Sequence, residues 1–149
     1  MYTIEEFDKE KTRVLKYIMF KKRTEKEIII KFSKTIDESL LEDIIQYLKE
    51  AGYINDEDYI ERAINEFIAL KTLSIKEIKY KLLAKGLNKN LVDDYIYNNI
   101  DKLDEYESKS ATKIAIKKST SMDETEIKQF LLKKGYKPEN IETAIEELN

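Results

Sequence analysis

One motif occurs three times along the 149 residues at a spacing near fifty, and that recurrence constrains the fold more than any other feature of the sequence. Its middle copy runs Ser74-Ile-Lys-Glu-Ile78-Lys-Tyr-Lys-Leu82-Leu-Ala-Lys-Gly86-Leu87 and leads to Val92 and Ile96. The last copy runs Asp123-Glu-Thr-Glu-Ile127-Lys-Gln-Phe-Leu131-Leu-Lys-Lys-Gly135-Tyr136 and leads to Ile141 and Ile145. The first, Thr24-Glu-Lys-Glu-Ile28-Ile-Ile-Lys-Phe32 followed by Ile36, Leu41 and Ile45, is one residue shorter and has no glycine at the turn.

Each copy carries the same local physics. Thr24 with Glu27, Ser74 with Glu77 and Asp123 with Glu126 place a capping oxygen three residues ahead of a carboxylate, the arrangement that satisfies free backbone donors where a helix starts. Apolar residues then recur at four-residue spacing, so they stack on one face that must be buried. Gly86 and Gly135 fall where the helix stops and the chain needs positive φ, a conformation costing an L-residue roughly 1 kcal/mol or more. Pro138 suits the first position of the helix that follows. Helical stretches over 6–22, 56–71 and 101–118 precede the capped helices, and others over 39–51, 90–99 and 139–148 follow them. The fold class expected is therefore all-α: three tandem three-helix repeats, residues 1–55, 56–100 and 101–149, forming an elongated curved array. Three-helix units of this size bury too little surface to stand well alone and are expected to pack on their neighbours.

Composition narrows the chemistry. The chain has no Cys and no His, which removes disulfides, the usual zinc and haem ligands, and triads built on either residue. Three scattered glycines make no phosphate-cradling loop. The run Asp56-Glu57-Asp58 lacks the alternating ligands and central glycine of a calcium loop and is read as the acidic first turn of a helix. No catalytic residues, metal site or cofactor are expected, and the chain is not expected to be an enzyme. No apolar run approaches the ~20 residues of a membrane span, so a cytoplasmic protein without membrane contact is expected.

The formal charge of −3 gives no global basic field, but local charge is uneven. Residues 9–34 hold ten basic and three acidic side chains, and residues 71–89 hold six lysines against Glu77 alone. On the middle capped helix, Lys81 and Lys85 are placed on one flank of the buried stripe and Lys76 and Tyr80 on the other, with Lys79 at the edge of the apolar face. Lys128, Lys133 and Lys134 repeat part of this in the last copy, and Lys113, Lys117 and Lys118 close the helix before it. Lysines aligned across repeats are candidates for a phosphate-tracking groove; the alternative is ordinary helix-surface lysine. Ten tyrosines offer a stacking surface, although Tyr53, Tyr59 and Tyr95 are assigned to core or half-core positions.

Arg23-Thr24-Glu25-Lys26-Glu27-Ile28, then Gly52-Tyr53-Ile54-Asn55-Asp56-Glu57-Asp58-Tyr59, then the helix from Ile75 to Gly86-Leu87, and finally Gln129 to Tyr136, resemble the RecX regulatory proteins of bacteria. The resemblance runs from about residue 10 to the C-terminus; Thr24, Ile28, Ile54 and Asn55 are conservative departures from the family pattern, and no N-terminal extension of the kind seen in longer relatives is expected. It implies tandem three-helix units and a non-enzymatic protein that lies on RecA recombinase filaments and inhibits recombinase and coprotease activity, in DNA repair and the SOS response. The implied partner is the RecA filament, with single-stranded DNA a second candidate that the net acidity counts against; a monomer is expected. Lys71, Lys76, Lys79, Lys81, Lys85, Lys113, Lys117 and Lys118 are the expected filament or nucleic-acid contacts. A helical adaptor for another protein would share the repeat. A helix-turn-helix DNA reader is disfavoured, since Arg occurs only at 13, 23 and 62.

Overall fold

A computed structural model describes residues 1–149 as nine helices and no strand: α1 (Ile4–Phe20), α2 (Glu25–Phe32), α3 (Glu38–Glu50), α4 (Asp56–Leu70), α5 (Ile75–Ala84), α6 (Lys89–Asn98), α7 (Ile100–Lys118), α8 (Glu124–Lys134) and α9 (Pro138–Leu148). The three capping boxes form as the spacing predicts. Thr24, Ser74 and Asp123 each accept from the backbone N–H three residues on, and Glu27, Glu77 and Glu126 reach back to the cap N–H. Gly86 and Gly135 take φ of +85° and +96° just past α5 and α8, and Pro138 opens α9. The short first copy ends differently: α2 closes on Ser33 in the right-handed region, with no left-handed residue.

Burial separates into three clusters rather than one core. Val14, Ile28, Ile44, Leu48 and seven neighbours form the first; Ile60, Ile64, Ile78, Leu82 and Val92 anchor the second; Ile127, Leu131, Tyr136 and Ala144 anchor the third. Helix α7 serves two of them, giving Leu103 and Tyr106 to the second and Ala111 and Ala115 to the third. A compact chain of 17.7 kDa would expose about 7,900 Å², whereas this one exposes 9799 Å². The excess is what a row of small cores requires, and the molecule is elongated.

The same polar junction joins successive clusters twice. The Thr24 hydroxyl, buried, donates to the Lys85 carbonyl at 2.8 Å while accepting from Glu27 N–H, and the Ser74 hydroxyl donates to the Lys134 carbonyl at 2.8 Å while accepting from Glu77 N–H. A hydroxyl can do both because it carries a proton and lone pairs. Above each cap a carboxylate from the next first helix accepts the leading backbone donor: Asp56 takes Glu25 N–H at 3.1 Å, and Glu107 takes Ile75 N–H at 2.7 Å. The turn glycines complete the fit, since a Cβ on Gly86 would lie 2.5 Å from Lys26 Cβ, and one on Gly135 3.0 Å from Lys76 Cβ. The sequence shows these glycines as helix stops; the contact that also forbids a side chain there is tertiary.

The second junction is the better built. Glu107 is fully buried, and its second oxygen accepts from Lys137 N–H (2.8 Å) and Asn140 Nδ2 (2.9 Å), so one carboxylate lies at the positive ends of α5 and α9. Tyr106 Oη donates to the Leu73 carbonyl at 2.6 Å, and Ser110, donating to the Lys71 carbonyl, accepts from the buried Tyr136 hydroxyl at 2.7 Å. Burial pushes both phenols above their ordinary range, Tyr136 the further. At the first junction Asp56 has a single backbone donor, helped by a Lys22–Asp58 ion pair. Burial, with Glu25 and Glu27 adding like charge, holds the Asp56 carboxyl above its usual range despite the hydrogen bond and nearby Lys49.

Candidate functional site

The lysines that the sequence nominates divide by whether a carboxylate already holds them. Lys79 is held: its ammonium lies 2.6 Å from Asp93, which Lys89 also meets at 2.8 Å, and these hydrogen bonds draw the Asp93 carboxyl below its ordinary range. Lys71, Lys76, Lys81, Lys85, Lys113, Lys117 and Lys118 have no ion-pair partner. Unpaired lysines keep their full field and their hydration, the state in which a cation can neutralise a phosphate or meet an acidic surface.

The fold gathers part of this set. Lys76, Tyr80 and Lys81 of α5 face Lys134 of α8 around an open hollow of about 410 Å³, with Glu77 between them. Lys76 and Tyr80 on one flank of the buried stripe and Lys81 on the other meet across the exposed face of α5 to bound the hollow, and Lys85 lies beyond it at the helix end. Lys134 is anchored at 3.4 Å by Glu77 and shares the Phe130 ring with Lys118, whose ammonium is 4.9 Å from the ring centroid. Lys113 donates to the Leu70 carbonyl at 3.3 Å, so it sits beside Lys71, the left-handed cap of α4 with φ +53°. The structure thus gives two basic groups, around α5–α8 and at the end of α4. Lys117 is exposed on α7, and Lys85 lies at the first junction, where its carbonyl receives Thr24.

Among the tyrosines, Tyr80 is 77% exposed within the basic hollow, free to stack on a planar group. Tyr59 and Tyr95 are half-buried against the second cluster as expected. Tyr53 is not in a core: it follows the left-handed Gly52, and the buried position falls to Ile54. Glu107 has no signal as an isolated acid, but the four-residue series Leu103, Glu107, Ala111, Ala115 puts it on a buried stripe, where a carboxylate must have partners. No three acidic side chains converge as metal ligands would, and no helix is long and apolar enough to cross a membrane.

No protein-family model matches the chain. It is 32% identical over 139 residues to the regulatory protein RecX of Staphylococcus carnosus, covering 91% of this chain and 52% of that protein. With the RecX of Clostridium acetobutylicum it shares 31% identity over 147 residues, 93% of this chain and 68% of the relative. The chain spans about half to two thirds of the length of the curated relatives it matches. The crystal structure of RecX from Lactobacillus salivarius superposes with a TM-score of 0.81 at 31% identity, covering 98% of both chains. A second RecX crystal structure, 23% identical with a TM-score of 0.80 over 94% of this chain and 73% of that one, shares the fold.

Proposed function

Because the chain belongs to the RecX family of regulatory proteins, we propose that it is a non-enzymatic, cytoplasmic regulator that binds RecA nucleoprotein filaments as a monomer and restrains recombinase and coprotease activity. Its three modules, residues 1–55, 56–100 and 101–149, act as successive contact points along the filament, where many weak contacts held at fixed spacing sum to firm binding. The observation that carries this reading is the hollow of Lys76, Lys81 and Lys134 around the exposed Tyr80, which joins the second and third modules on an otherwise acidic protein. Lys113, Lys117 and Lys118 extend the contact along α7, with Lys71 at the end of α4 beside Lys113, and Lys85 continues it toward the first junction. Lys79 contributes less than its neighbours, since Asp93 already neutralises it.

The test is titration of the protein into RecA filaments preassembled on single-stranded DNA, following ATP hydrolysis and strand exchange. Inhibition should weaken in Lys76→Glu/Lys81→Glu/Lys117→Glu and become less sensitive to salt, each lost phosphate contact lowering the logarithmic salt slope by about 0.7 to 0.9. Unchanged inhibition would remove these lysines from the contact surface. No effect of the parent protein on hydrolysis or exchange would favour an adaptor for another protein.

A further inference from the structure

The groove between α2 and α3 differs from its counterparts in a way that points outward. It is a cavity of about 550 Å³ with Ile29, Leu41 and Ile45 on its floor and Glu25, Glu38 and Glu42 on its rim. Counting from the caps Thr24 and Asp37, its three variable positions are Ile29, Glu38 and Glu42; counting from Ser74 and Asn88, the same positions in α5 and α6 are Lys79, Lys89 and Asp93. There both lysines close on the aspartate, at 2.6 and 2.8 Å, and the set carries net charge +1. In α8 and α9 the set is Lys128, Pro138 and Glu142, which is neutral. In α2 and α3 an isoleucine and a glutamate replace the two lysines, so the set carries −2; Glu38 and Glu42 are exposed and neither has an ion-pair partner. The next set of helices also walls the α5–α6 hollow with Leu132, Tyr136 and Lys137, whereas no residue beyond Gln46 lines the α2–α3 groove.

We propose that this groove docks a basic, aliphatic segment of the recombinase protein, with a lysine or arginine from the partner completing the ion pairs that Lys79 and Lys89 make internally. The occupant's charge follows from the two unpartnered carboxylates and its aliphatic character from the three-residue apolar floor; the same carboxylates repel nucleic acid and anionic membranes. This rests on the proposed filament binding and deepens it: the lysine hollow and the acidic groove would address different components of one nucleoprotein partner.

The two components can be separated by measuring binding of fluorescently labelled protein to RecA filaments and, in parallel, to bare single-stranded DNA. Glu38→Lys/Glu42→Lys changes exposed residues only, and its fold can be matched to the parent by circular dichroism. Filament affinity should fall by about tenfold or more, while affinity for bare DNA holds or rises. Ile29→Lys, which gives Glu42 the internal partner that Lys79 gives Asp93, should also lower filament affinity. Parent and variants binding filaments equally well would overturn the groove and leave the function standing; a parent that does not bind filaments would sink both. Loss of self-association in the charge-reversed variant, seen by sedimentation, would make a second copy the occupant and overturn the assignment.

Discussion

Replacing Gly86 by Ala tests the junction directly, because the protein contains its own control. Gly52 and Gly86 have nearly the same positive φ, +86° and +85°, but a Cβ on Gly52 would meet nothing within 4 Å, whereas one on Gly86 would lie 2.5 Å from both Cβ and Cγ of Lys26. Gly52→Ala therefore carries only the left-handed cost of about 1 to 2 kcal/mol, reduced by about 0.4 to 1 kcal/mol as the unfolded chain loses freedom. Gly86→Ala carries the same difference plus the overlap. Lys26 Cγ can rotate away, but Cβ is fixed to the α2 backbone, so the junction itself must open; overpacking of this kind costs about 1 to 3 kcal/mol more. Gly135 belongs between the two, with Lys76 Cβ at 3.0 Å, Lys76 Cδ at 3.1 Å and Ser74 Oγ at 3.3 Å. Urea unfolding followed by circular dichroism should rank the losses Gly86→Ala, then Gly135→Ala, then Gly52→Ala. Adding Lys26→Ala should recover part of the Gly86→Ala loss by removing the Cγ contact. Equal losses at positions 52 and 86 would refute the close approach of α5 to α2 in solution.

Three further predictions concern the same interfaces. Thr24→Asp and Ser74→Asp keep a cap but lose the donated proton and press a carboxylate on a buried carbonyl, so each should cost about 1 to 3 kcal/mol, while Asp123→Ser should stay within about 0.5 kcal/mol; equal effects at all three positions would contradict the dual use of the hydroxyl. Glu107→Gln turns one acceptor of a buried carboxylate into a donor facing a backbone N–H, and Glu107→Ala leaves three donors unmet; losses of about 2 and about 3 kcal/mol or more are expected on urea unfolding, and a loss under about 0.5 kcal/mol would show that water reaches the site. The Asp56 carboxyl titrates above its usual range, so its contribution is present below the unfolded pKa of about 3.9 and is lost as pH rises through the folded value. Asp56→Asn, which still accepts from Glu25 N–H, should at pH 7 be at least as stable as the parent and lose that margin toward pH 4; a less stable variant at pH 7 would reverse the sign.

The basic hollow was half legible. Lys76, Tyr80 and Lys81 stand out as a local run, and Lys134 as the counterpart of Lys85 one repeat later, but only the packing of α8 beside α5 turns four residues of two helices into one surface. Lys79 shows the converse. Its position at the edge of an apolar face reads as a snorkelling lysine, and the Asp93 that neutralises it belongs to another helix. Charge counted along a chain does not reveal which charges cancel across it.

By itself the sequence determined the order of the nine helices, the starts of the three capped ones and the threefold recurrence, because capping boxes and four-residue stripes act over less than two turns and are written in adjacent residues; the first helix, read over 6–22, lies two residues earlier at Ile4–Phe20. The tertiary structure decided how the copies join. Thr24 reaches the Lys85 carbonyl 61 residues away and Ser74 the Lys134 carbonyl 60 away, and Glu107 ties together the leading backbone donors of two helices, Ile75 32 residues before it and Lys137 30 after. No periodicity encodes such contacts, since a hydroxyl that only caps and a hydroxyl that also bridges are the same letter, and the free energy separating them comes from a neighbour that the local chain does not contain.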